Sequence, residues 1–108
     1  MQHLHSLTIS TLTQALMTRG HIFELHCDKE AAVFNLQFGN DDRISVLVEA
    51  NQADKVEVSL WHVHKAKHHS LGEYSVVRVN EIPLLLTTIT HALDGITLTL
   101  TGKLKEVI

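Results

Sequence analysis

Two histidines separated by a single residue, His62 and His64, form the pair whose type and spacing best suit a chemical site. In an extended strand, residues i and i+2 lie about 6.6 Å apart along the axis and point to the same face. Two imidazoles in this arrangement can bind one metal ion, because zinc–nitrogen bonds are about 2.0–2.1 Å long. His-x-His does not define a metal site alone, since it lacks the longer fixed spacing of the known zinc motifs.

A carboxylate is expected beside His64. The predicted strand that carries the histidines and the strand before it alternate apolar and polar residues, as half-buried antiparallel strands do. If the turn at Asn51–Asp54 is tight, the two strands pair so that His64 lies beside Asp41 and His62 lies beside Arg43. The first of these pairs places a carboxylate next to an imidazole.

A further carboxylate follows from the next strand. Pairing of the fourth and fifth predicted strands across residues 65–72 brings Glu73 near His64. The acids and imidazoles gathered at this end of the sheet are then Asp41, Asp42, His62, His64 and Glu73. One hypothesis is a zinc site with ligands His62, His64, Asp41 and Glu73. The alternative is a rim of surface histidines that pair with acids and bind no metal.

The elements that position these residues follow from the spacing of apolar residues. A helix is predicted over Thr11–Arg19, between an N-cap at Ser10 and a terminating Gly20. A second helix begins near Pro83 and ends before Gly95. Five strands are predicted between the helices and a sixth after the second helix, at residues 22–27, 32–38, 44–49, 55–64, 73–80 and 96–101.

These elements predict a single α+β domain over residues 1–108. A chain of 108 residues with 44% hydrophobic residues is large enough to bury one core. Short turns favour a five- or six-stranded, mainly antiparallel sheet with the element order α-β-β-β-β-β-α-β. The two helices are expected to pack on one face of that sheet.

The second face of the predicted sheet carries a small group of apolar residues. Trp61 and Val63 alternate with the two histidines and point away from the predicted core, and Leu47 of the adjacent strand lies on the same side. Exposed apolar patches often mark partner or subunit interfaces, where tryptophan is a frequent hot-spot residue. We therefore expect Leu47, Trp61 and Val63 to bind a protein partner or a second copy in a homodimer.

The charge balance argues against nucleic acid as a partner. With its nine histidines neutral, the chain has a net charge of −3 and therefore no general attraction to a phosphate backbone. The segment 61–69, which combines Trp61 with Lys65 and Lys67, leaves a weak nucleic-acid binder as an alternative. The histidine content also leaves open a binder whose affinity changes with pH.

No catalytic motif is found, whether nucleotide-binding glycine loop, nucleophile elbow or zinc-ribbon spacing. The longest apolar run, Ile82–Leu86, is too short to span a bilayer, and the first residues lack a secretory-signal pattern. The single Cys27 favours a reducing, cytoplasmic location. The leading hypothesis is a small non-enzymatic interaction module (adaptor, inhibitor or chaperone-like binder) that forms a homodimer, and zinc binding is the alternative.

Overall fold

The computed structural model describes residues 2–28, 30–51 and 55–107 and contains two helices and five strands. Strands β1 to β5 pair in sequence order and are antiparallel throughout. The predicted α+β fold, with both helices packed on the sheet, is therefore confirmed, with five strands. The elements are α1 (Gln2–Thr18), β1 (Glu24–Cys27), β2 (Ala31–Phe38), β3 (Asp42–Ala50), β4 (Val56–His64), β5 (Lys67–Val76), a 3-10 turn (Val79–Glu81) and α2 (Ile82–Val107).

The core lies between the helices and one face of the sheet. Every second residue of the central strands points to this side, as the alternation predicted, and the largest of them, Phe34, is fully buried. The sheet contributes Ala32, Phe34, Leu36, Ile44, Val46, Val48, Val56, Val58, Leu60 and Val76. The helices contribute Leu4, Leu12, Leu16, Ile82, Leu85, Ile89 and Leu93.

Helix α1 begins at Gln2, nine residues before the start that the sequence indicated. Leu4 and Thr8 are buried on the same stripe as Leu12, at a spacing of four residues, so the packed face continues back to Leu4. Thr8 Oγ1 donates to the Leu4 carbonyl at 2.8 Å, which satisfies this buried hydroxyl within the helix. The buried His5 Nε2 donates to the Val48 carbonyl at 3.1 Å and fixes the helix over β3.

The end of α1 is where the sequence predicted it. Gly20 has φ 77°, and its N–H donates to the Met17 carbonyl at 3.0 Å. The His21 N–H donates to the Leu16 carbonyl at 3.0 Å. This pair of bonds is the Schellman motif, which requires a residue in the left-handed region and therefore favours glycine.

The hairpin between β4 and β5 is tighter than expected. Its turn consists of Lys65 and Ala66, both with positive φ (49° and 69°), which is the backbone geometry of a type I′ turn. Strand β5 therefore begins at Lys67, and the predictions of a loop over 65–72 and of a strand beginning at Glu73 are wrong. This turn could not be predicted from its residues, because glycine and asparagine normally occupy such positions. Of the predicted Asn51–Asp54 turn, residues 52–54 lie outside the described residues.

The predicted sixth strand at 96–101 is wrong, because α2 continues through Gly95 to Val107. Alternating threonines suggested a strand, since β-branched residues have low helix propensity. Packing decides otherwise: Ile89, Leu93 and Ile96 form one stripe against the core. Threonines earlier in the helix bond back to carbonyls four residues before them, such as Thr90 to Leu86 at 2.7 Å.

Among the described residues, no helix has both the length and the apolar character to cross a membrane.

Two glycine substitutions test these helix boundaries. Gly95→Ala is expected to stabilise the fold by about 0.5–1 kcal/mol, because Gly95 lies inside a helix and its added Cβ meets no atom within 4 Å. Gly20→Ala also has open space, but its φ of 77° should make it destabilising by about 1 kcal/mol. Urea unfolding measures both. Destabilisation by Gly95→Ala would instead place a helix end at that residue.

A second prediction concerns acid stability before α2. Glu81 Oε1 accepts the N–H groups of Val77 (2.7 Å) and Arg78 (3.0 Å), and these bonds lower the pKa of Glu81 below its ordinary 4.5. Because the folded pKa is lowered, the stabilisation is present above about pH 4.5 and is lost as the pH falls through the folded pKa. Glu81→Gln should thus be less stable than wild type at pH 7, with a difference that shrinks below pH 4.5. Urea unfolding measures the stability difference between the two proteins. An equal difference at pH 7 and at pH 3 would contradict this assignment.

Candidate functional site

The two histidines lie at the end of β4, beside the start of β3, on the same sheet face as the core. His64 is paired with Asp42, and His62 is paired with Ile44. This register differs by one residue from the predicted one. Since a shift of one residue exchanges the two faces of a strand, Asp42 takes the position expected for Asp41.

Asp42 joins the two histidines through a single oxygen. Its Oδ1 accepts hydrogen bonds from His62 Nε2 and from His64 Nδ1, each at 2.8 Å. The side chains of Asp42 and His62 are 20% and 22% exposed, whereas that of His64 is 46% exposed. One nitrogen from each ring and one carboxylate oxygen therefore converge within 4.8 Å of one another, at a point that solvent reaches. We call these three residues the histidine cluster.

The histidine cluster also sets the ionisation of its carboxylate. Partial burial by itself raises the pKa of Asp42, but the hydrogen bonds from His62 and His64, together with the charge that these rings can carry, outweigh it. The pKa of Asp42 is therefore below its ordinary value of 3.8. The cluster thus presents an ionised carboxylate and two imidazoles toward one point.

A third imidazole lies next to the histidine cluster. His69 of β5 is paired with His62, and their ring centroids are 6.4 Å apart. A register shift between Leu60 and Trp61 makes Leu71 an extra residue in β5, and this bulge turns His69 to the core side. The sequence placed His69 in a loop, and nothing in it signalled a bulge.

The two other predicted ligands lie elsewhere. Asp41 is exposed in the turn before β3, where its carbonyl accepts the Lys65 N–H at 2.9 Å. Glu73 is paired with Ser59 and lies on the opposite face of the sheet. The expected gathering of Asp41 and Glu73 around His64 is therefore wrong. It failed because the register was misjudged by one residue and because the second hairpin closes at Lys65 and Ala66.

The face of the sheet opposite the helices, here called the open face, carries the three apolar residues predicted to bind a partner. Leu47 and Trp61 are half-buried, and Val63 is 7% exposed. Val63 lies between its strand neighbours Arg43 and His68, and the His68 ring also contacts Trp61 edge-on at a centroid distance of 6.5 Å. The three residues lie on the predicted face, but Val63 is buried and not exposed as expected, and partner binding stays a prediction.

Charges on the open face are separated along the strands. Arg43 lies at one end, and Glu49 and Glu57 lie at the other, about 20 Å away for six residues of strand, where Lys55 Nζ is 3.8 Å from Glu57 Oε1. Glu49 and Glu57 are directly opposite each other, an arrangement of like charges that destabilises a sheet. The acidic end borders a shallow cavity of about 320 Å³ lined by Leu47, Glu49, Glu57, Ser59, Trp61 and Glu73, among others.

Comparison with protein-family models, with curated proteins and with solved structures yields no match for this chain. The functional argument therefore rests on the two arrangements described above, the histidine cluster and the open face.

A substitution at Asp42 tests the observed register. Asp42→Ala removes the shared acceptor of two imidazole N–H groups and should lower the free energy of unfolding by about 1 kcal/mol in chelator-treated protein. Asp42→Asn keeps a carbonyl oxygen at this position and should lose less. Asp41→Ala, at the adjacent exposed position, is the control and should be near neutral. A larger loss for Asp41→Ala than for Asp42→Ala in urea unfolding would contradict the register.

Proposed function

We propose that this chain is a non-enzymatic interaction module that binds through its open face, and that the surface it binds is the open face of a second copy. The observation that carries this proposal is the separation of charge along the strands, with Arg43 at one end and the Glu49–Glu57 pair at the other. A surface with opposite charges at its two ends is complementary to itself when one copy is reversed.

The register supports a specific two-fold arrangement. Arg43 and Glu49 lie three residues on either side of Val46 in β3, and Val46 is paired with Leu60. A two-fold axis parallel to the interface and perpendicular to the strands, passing over this pair, sets Arg43 of one copy against Glu49 of the other. Because the arrangement is two-fold symmetric, this contact occurs twice in the dimer. Sheets packed face to face are about 10 Å apart, a gap that these long side chains can bridge.

The same arrangement brings the apolar residues of the two copies together. Leu47 and Trp61 lie one residue on either side of the proposed axis, on adjacent strands. Leu47 and Trp61 of both copies then form one small apolar centre, surrounded by the charged pairs. Burial of tryptophan at the centre and charge at the rim is the usual anatomy of a protein interface.

The available area agrees with a modest but specific interface. Five strands spaced about 4.8 Å apart and six residues long present on the order of 500 Å² per copy. Two copies bury on the order of 1,000 Å², which is the lower limit for a specific interface. The charges favour association further, because neither Arg43 nor Glu49 has an ion-pair partner among the described residues, whereas Glu57 lies 3.8 Å from Lys55.

The remaining features agree with an interaction module. The sequence has no catalytic motif. Cys27 is exposed and unpaired, which suits a reducing compartment such as the cytoplasm. An adaptor, an inhibitor or a chaperone-like protein of this kind acts through surface complementarity alone.

Reversal of the two charges tests the proposed dimer. Arg43→Glu and Glu49→Arg each place like charges opposite one another, so each should lower the dimer affinity at least about 10-fold. The double variant Arg43→Glu/Glu49→Arg restores opposite charges and should restore the dimer. Sedimentation equilibrium at low and moderate salt measures all three, with weaker association expected at higher salt.

Arg78→Glu is the matched control, because it makes the same change in charge at an exposed position just before α2. It should leave the dimer affinity unchanged. A strictly monomeric wild type at millimolar concentration, or a double variant no better than the single ones, would remove the support for a second copy as the partner.

A further inference from the structure

We propose that Asp42, His62 and His64 form a binding site for a divalent transition metal of the zinc type. The site lies on the helix side of the sheet, at the end of β3 and β4 where solvent reaches it. It is independent of the proposed dimer, because Asp42 and the two histidines point to the face opposite Arg43, Leu47 and Trp61.

The distances suit metal coordination. Asp42 Oδ1 lies 2.8 Å from His62 Nε2 and 2.8 Å from His64 Nδ1, and all three atoms lie within 4.8 Å of one another. Ligand atoms in a tetrahedral zinc site are about 3.3 Å apart, given bonds of about 2.0–2.1 Å. Small side-chain rotations therefore convert the present hydrogen-bonded arrangement into a coordinating one. On binding, each neutral imidazole carries its proton on the other ring nitrogen and turns a lone pair toward the metal.

The backbone holds these ligands in place. All three residues lie on paired, central strands of the sheet, and His62 sits between Ile44 of β3 and His69 of β5. The adjacent core residues, Ile44 and Leu60, are fully buried. A site on a rigid sheet loses little conformational entropy when it binds a metal, in contrast to a site on a loop.

The chemistry of the ligands selects the kind of metal. Two nitrogen donors and one carboxylate oxygen suit Zn²⁺, Co²⁺, Ni²⁺ or Cu²⁺, whereas Mg²⁺ and Ca²⁺ prefer oxygen donors only. Three protein ligands leave one tetrahedral position for water or for a group from another molecule. The nearest comparable pairs in the described residues, His26–Glu24 at 3.4 Å and His21–Asp94 at 3.7 Å, offer one imidazole and one acid each.

Zinc titration of the chelator-treated chain by calorimetry tests the site. The wild type should bind one equivalent of Zn²⁺, and His62→Ala/His64→Ala should bind at least about 100-fold more weakly. Asp42→Asn retains the shape of the side chain and should bind about 10-fold more weakly. His26→Ala, which removes one imidazole from an exposed histidine–carboxylate pair, is the matched control and should bind as the wild type does.

X-ray absorption at the zinc edge supplies a second measurement, with nitrogen and oxygen neighbours expected at about 2.0–2.1 Å. Circular dichroism confirms that each variant is folded. Equal affinity of the wild type and of His62→Ala/His64→Ala would overturn the proposal, as would a sulfur ligand or the absence of binding by the wild type. None of these outcomes bears on the dimer, whose test uses residues of the opposite face.

Discussion

The pairing register of β3 and β4 is the constraint on which the rest of the structure depends. It places Val46 beside Leu60 in the core and Asp42 beside His64 at the sheet end. On the other face it sets Glu49 against Glu57. A shift by one residue would turn the core residues of one strand to solvent, so the burial of this face holds the register in place. The histidine cluster and the charge pattern of the open face are both consequences of it.

The two faces of the sheet differ in exposure because the helices cover only one of them. α1 and α2 cover the core side. α2 continues past Gly95 because Ile89, Leu93 and Ile96 lie on one stripe that packs against that core. The other face keeps a half-buried tryptophan among charged residues. A monomer gains little from Trp61 in this position, whereas an interface gains its full burial. The histidine cluster lies on the covered side but beyond its packed residues, which leaves it accessible.

Much of this fold could be predicted from the sequence, and the errors have common physical causes. In strands that are buried on one side, apolar and polar residues alternate with a period of two. This alternation predicted the inward residues of the central strands correctly, Phe34 and Val46 among them. Element ends carry weaker signals. The turn at Lys65 and Ala66 has no typical turn residue, and the threonines of α2 favour a strand locally while packing makes them helical. Of the candidate site, the sequence indicated the two histidines and placed Asp42 at the same end of the sheet, but it assigned Asp41 as the carboxylate beside His64.

Local pattern by itself determined that this chain folds as an antiparallel sheet with helices on one side, that His62 and His64 share a face, and that Trp61 points to the other. These properties depend on the alternation of side chains between the two faces of a strand, which can be read from consecutive residues. Only the tertiary structure decided that Asp42 is the residue between the histidines, that a bulge brings His69 beside them, and that Glu73 lies on the opposite face. Those positions depend on how strands align with one another, and alignment is set by turns and by the packed core as a whole.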